Sequence, residues 1–165
     1  MENNTIDKNY PELLHSLMGD ELYFITEHTH YEAIESEGEN KFRFLNIFKH
    51  SEKGYIPEQQ RDFFFKVINN IKTDRFDMAL DGLAAINIQE YPGVQWDNLD
   101  KLFSPKFCIL WDVEPTALGI AVNRYTGIEH NGCRIIYVDS LANIEASLEL
   151  RQRLWKLIKN LFSIK

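Results

Sequence analysis

The spacing of apolar positions along the chain predicts most of its elements. Near the start, Leu13, Leu14, Leu17 and Met18 fall at helical spacing, with Asn9 and Pro11 as start signals and Gly19 as a stop. This is one or two turns of amphipathic helix, too short to be stable alone. Residues 21–26 read as a first strand, and the acidic, glycine-containing stretch 28–41 as a loop. The run Phe42-Arg-Phe-Leu-Asn-Ile-Phe48 alternates in its first half and reads as a second strand. Gly54 and Pro57 open a helix running to about Lys72, with Phe64, Val67, Ile68 and Ile71 as its buried stripe. Residues 83–88 make a third strand and residues 96–103 a helical turn. Residues 106–111 and 134–138 read as strands whose apolar residues, Phe107–Trp111 and Ile135–Val138, are continuous rather than alternating, as expected where helices cover both faces of a parallel sheet. A helix over residues 143–162 closes the chain.

Apolar strands separated by helices predict an α/β fold, a three-layer α/β/α domain with a small, mostly parallel central sheet of about 4–5 strands. The first two strands are expected as an antiparallel or edge addition. Residues 1–20 read as a separable tether and residues 21–165 as one domain, which suits a chain of 165 residues. Leu, Ile, Val and Phe supply about 30% of the residues, against the ~20% below which disorder is expected. The longest apolar run, Phe107–Trp111, falls far short of the roughly 18 residues that span a bilayer. The N-terminus has no basic, then apolar, signal pattern, so the expectation is a cytoplasmic protein with no membrane contact. Cys108 and Cys133 lie 25 positions apart without a CxxC pairing, which fits neither a disulfide scaffold nor a zinc ribbon.

Charge changes the picture by its distribution. Residues 9–40 hold eight carboxylates and no Lys or Arg, whereas the whole chain carries −7. The extreme C-terminus is locally basic, with Arg151, Arg153, Lys156, Lys159 and Lys165 against Glu149. A net anionic surface is repelled by phosphate backbones, so direct nucleic-acid binding is not expected.

Candidate chemistry is sparse. Asp112 and Asp139 each follow an apolar strand, and ligands of open α/β sheets bind beyond such strand ends. The pair would hold Mg²⁺ for phosphoester chemistry, or each Asp would simply cap the turn after its strand. His28 and His30 lie two apart and His15, His50 and His130 are scattered; solvated loop histidines are the expectation, with no metal bound. Neither phosphate-binding glycine fingerprint nor a nucleophile elbow is present. Cys108 sits inside an apolar strand and reads as inert core. In the closing helix, Leu150, Leu154, Leu157, Ile158 and Leu161 form one stripe. Leu148, Trp155 and Phe162 form a second at spacing seven. Two stripes exceed what one sheet face buries, which makes Leu148, Trp155 and Phe162 candidates for a partner surface.

From about residue 57 onward the order of features resembles the psi subunit family of bacterial DNA polymerase III holoenzyme. The resemblance rests on the apolar strand with its Trp111-Asp112 exit, Pro115-Thr-Ala-Leu-Gly119, Asp139-Ser-Leu141, and the Arg-x-x-Leu-Trp core of the closing helix, Arg151 to Trp155. The segment from Tyr10 to Gly19 looks like the family's clamp-loader tether. The resemblance implies an α/β/α fold without enzymatic activity or cofactor. It also implies a bridge between a clamp-loader subunit of the tau/gamma type and a chi-like subunit that contacts single-stranded-DNA-binding protein. Tyr10, Leu13, Leu14, Leu17 and Met18 would bind the clamp loader. The competing expectations are a small metal-dependent phosphoesterase or nuclease-like domain using Asp112 and Asp139, and a glycosylase-like α/β domain.

Overall fold

Runs of consecutive apolar residues form the middle of the sheet. The computed structural model describes residues 29–73, 76–77 and 80–164; the predicted tether helix and the predicted strand at 21–26 lie outside them. In chain order, β1 (Phe44–Phe48) leads through a 3-10 turn into α1 (Arg61–Asn69), then into a separate two-stranded antiparallel ladder of β2 (Lys72–Thr73) and β3 (Phe76–Asp77). Next come β4 (Leu83–Asn87), α2 (Trp96–Phe103), β5 (Phe107–Trp111), and a hairpin of β6 (Gly127–His130) and β7 (Cys133–Val138). Two helices, α3 (Leu141–Ala146) and α4 (Leu148–Phe162), end the fold. The main sheet runs β4-β1-β5-β7-β6. Its first four members are parallel and β6 alone is antiparallel. The expected small, mostly parallel α/β fold is therefore present.

Side chains alternate across the sheet and build two cores. Phe44, Phe48, Leu83, Ala85, Ile109, Trp111, Ile136 and Val138 pack beneath α1, α3 and α4. Leu45, Ile47, Ala84, Ile86, Cys108, Leu110, Ile135 and Tyr137 pack on the other side, against Trp96 and Leu99 of α2 and the loops around Val113 and Leu118. Strands covered on both faces have no polar side to show, which is why β1 and β4 are buried at every position.

Two expectations need correction. The second predicted strand is not an antiparallel or edge addition, because β1 lies between β4 and β5 and is parallel to both. The misleading alternation came from Arg43, which has φ +55 and belongs to the turn before the strand. The predicted closing helix is two helices, divided at Ser147, whose backbone is extended and whose hydroxyl accepts from the Leu150 N–H at 3.3 Å.

The two sheet edges differ. Along β4, Glu37 and Ala85 exchange N–H···O bonds at 2.9 and 2.8 Å, Asn40 N–H reaches Leu83 O at 2.9 Å, and Phe42 N–H reaches Gly82 O at 2.9 Å. That close approach requires a glycine, since a Cβ on Gly38 (φ +96) would stand 2.2 Å from Leu83 O. Arg61 of α1 holds the segment down through Glu37. On the opposite edge, β6 pairs inward with β7, and no strand of the described residues pairs with its outer side. One polar group sits at the centre of the sheet: fully buried Asn46 of β1 accepts from Trp111 Nε1 of β5 at 3.1 Å, across the two strands.

Candidate functional site

The carboxyl ends of β5 and β7 lie side by side, and each chain exit carries an aspartate. Asp112 leaves β5 at φ +54 with its N–H bonded to Val138 O at 2.9 Å, which turns the chain where the ladder ends. Asp139 leaves β7 one position past Val138. Between them comes Arg124, from the loop ahead of β6. Its Nη2 donates to Asp112 Oδ1 at 2.9 Å and to the Tyr137 hydroxyl, and its Nη1 donates to Asp139 Oδ1. The guanidinium lies 4.6 Å from the Tyr137 ring centre. Tyr125 OH donates to the remaining Asp139 oxygen at 2.9 Å, and Tyr137 OH donates to Glu114 Oε2 at 3.3 Å.

Both Asp139 oxygens and one Asp112 oxygen are thus engaged by protein donors. Burial would lower the Arg124 pKa, but its bonds to Asp139 and Asp112 outweigh that and hold it above the usual arginine value. Burial, and then donation to Asp139, push the Tyr125 phenol up. The arrangement is a fixed ion-pair lock in which the carboxylates neutralise a cation of the chain itself. Sequence reasoning named both aspartates but missed Arg124. Its positive charge, twelve residues past Asp112, carried no spacing signal.

The histidines are less scattered than their numbers suggest. His30 and His130, a hundred positions apart, line one cleft of about 230 Å³ with Thr29, Gln95, Trp96 and Asn98. The Trp96 ring meets His130 edge-on at 6.2 Å. Asn98 fixes this wall by accepting from Tyr31 N–H and donating to Tyr31 O, both at 2.9 Å. Among the described residues, no group of three or more His, Cys, Asp or Glu is placed to hold a metal ion. Both cysteines are buried; burial pushes the Cys108 thiol well up and that of Cys133 up to about 12.

The candidate partner residues separate. Tyr10, Leu13, Leu14, Leu17 and Met18 lie outside the described residues. On α4, Leu148 is 63% exposed and Trp155 37% exposed. Phe162 turns inward, with its ring 5.1 Å from Phe44 and 4.6 Å from Phe107. Leu154, Ile158 and Leu161 are buried beneath the same helix, as the first stripe predicts. No helix among the described residues is long and apolar enough to cross a membrane. Compared with known proteins, the chain matches no protein-family model, and no curated protein matches its sequence.

Proposed function

We propose that this protein is a non-enzymatic, psi-like accessory subunit of the DNA replication machinery. It would work in the cytoplasm and bridge a clamp-loader subunit of the tau/gamma type to a chi-like partner. The observation that carries this reading is the row of Leu148 and Trp155 on α4: large apolar side chains on a well-packed helix, turned to solvent. Exposed tryptophan is a favoured anchor of protein interfaces. The Arg124 lock adds support, because the carboxylates that a phosphoesterase would need are already bound by protein donors.

The test is co-purification of clamp-loader subunits with the tagged full chain and with a chain lacking residues 1–20. The expected result is capture by the full chain and loss of capture by the truncated one, with the melting temperatures of the two within a few degrees. The reading fails if the full chain captures no clamp-loader subunit. The tether assignment fails if the truncated chain aggregates or unfolds.

A further inference from the structure

Leu148, Arg151, Gln152, Trp155, Lys156 and Lys159 recur at spacings of three and four, and so follow one face of α4. Below Leu148, Gln152, Trp155, Lys156 and Lys159 join Asn160 and Ile164 around a shallow groove of about 470 Å³. The cations of this face differ from the one other cation of the helix. Arg153 is tied to Glu149 at 2.9 Å, whereas Arg151, Lys156 and Lys159 make no ion pair among the described residues. Three cations without an ion pair among the described residues, beside an exposed tryptophan, stand out in a chain of net charge −7.

We propose that this face of α4 is a docking strip for an acidic peptide segment of a partner protein, anchored by a large apolar side chain against Trp155. The proposal deepens the adaptor reading by naming the chemistry of what α4 would bind. Charge complementarity selects the acidic partner: Arg151 and Lys156 are exposed and Lys159 half-buried along one helix, and their steering field is strongest for a flexible carboxylate-rich segment. From Leu148 to Lys159 the strip runs about 16 Å along the helix axis at ~1.5 Å per residue. That is the reach of about five extended residues at ~3.3 Å each. Nucleic acid fits less well. A single strand is held by successive aromatic platforms along a cationic groove, whereas this strip offers one exposed ring on an anionic molecule.

The test uses the full chain and a short fluorescein-labelled peptide of alternating Asp and Glu around a central Leu-Phe pair, followed by anisotropy at low and high salt. Trp96 and Trp111 are buried, so acrylamide quenching of tryptophan emission reads Trp155 above all. The expected results are binding that weakens with salt and shields Trp155 from the quencher, and loss of affinity of about tenfold or more in the Lys156→Glu/Lys159→Glu double variant. The milder Lys156→Gln/Lys159→Gln pair, with an unchanged melting temperature, should fall between the two. Binding by both double variants as tight as that of the unaltered chain overturns the proposal. So does preferential binding of oligo-dT that the same variants abolish. If raising salt alone uncovers Trp155 in the free chain, the strip is covered by the chain's own acidic stretch and the proposal also fails. Clamp-loader capture measured on these variants keeps the two questions apart, since it tests the adaptor reading whether or not the peptide binds.

Discussion

Arg124 donates to Asp112 and Asp139 at once, so removing its guanidinium leaves two carboxylates facing each other across the exits of β5 and β7. Arg124→Ala is expected to cost about 1–2 kcal/mol by urea denaturation, the value of charged hydrogen bonds discounted for partial exposure. Tyr125→Phe, which removes one bond to Asp139, should cost less. The cysteines make a second residue-scale prediction. The Cys133 thiol is held up to about 12 by burial, against an ordinary value of 9.0. Folding therefore favours its protonated form, and this contribution is fully present below pH 9 and is lost as pH rises toward 12. Buried Cys108 acts in the same direction. The urea midpoint should fall on alkaline titration through that window, and Cys133→Ala should flatten the fall. In native protein at neutral pH neither thiol should react with a disulfide reagent until denaturant is added. At this scale the sequence was legible where a residue's role follows from its neighbours, as with Cys108 inside its apolar strand. It was silent on Arg124, whose role exists only once residues 112, 124 and 139 meet in space.

Helix α4 puts its two candidate anchors in opposite environments. Phe162→Ala removes a ring packed on Phe44 and Phe107 and should cost about 3–5 kcal/mol, toward the lower end because it lies at the helix terminus. Trp155→Ala removes a partly exposed ring and should leave the melting temperature nearly unchanged while affecting partner binding. Thermal melts of the two variants side by side would show the difference; a steep loss in Trp155→Ala would place that ring in the core instead. A spacing of seven predicted one stripe for Leu148, Trp155 and Phe162, but a straight helix drifts about 20° per heptad. Over two heptads that drift helps carry Phe162 to the buried side. Other elements were legible for clear reasons. The short, unalternating apolar runs Phe107–Trp111 of β5 and Ile135–Val138 of β7 fit a strand covered on both faces. In contrast, Gly-Ile-Glu-His of β6 is too short and too mixed to announce itself. The available signal was the Asn131-Gly132 loop, where φ is +51 and +76, as a tight hairpin requires.

Across the whole molecule, the order β4-β1-β5-β7-β6 grades the strands by protection. β1 and β5 each pair on both sides beneath two packed layers, whereas β6 pairs on one side only and its residues are at least partly exposed. Native-state hydrogen exchange should therefore find the slowest amides in β1 and β5, opening with global unfolding, and faster exchange through local opening in β6. Slow exchange throughout β6 would contradict this ranking. The contrast between the edges has a further consequence for how copies of this domain can associate. Stacking without limit requires two free strand edges on every molecule, one to receive a neighbour and one to offer to the next. Here the segment around Gly38 occupies the β4 edge through its own backbone bonds, so among the described residues β6 is the open edge of the main sheet. Pairing through β6 would use the free edge of both molecules and end there, making a closed two-fold dimer rather than a growing fibre.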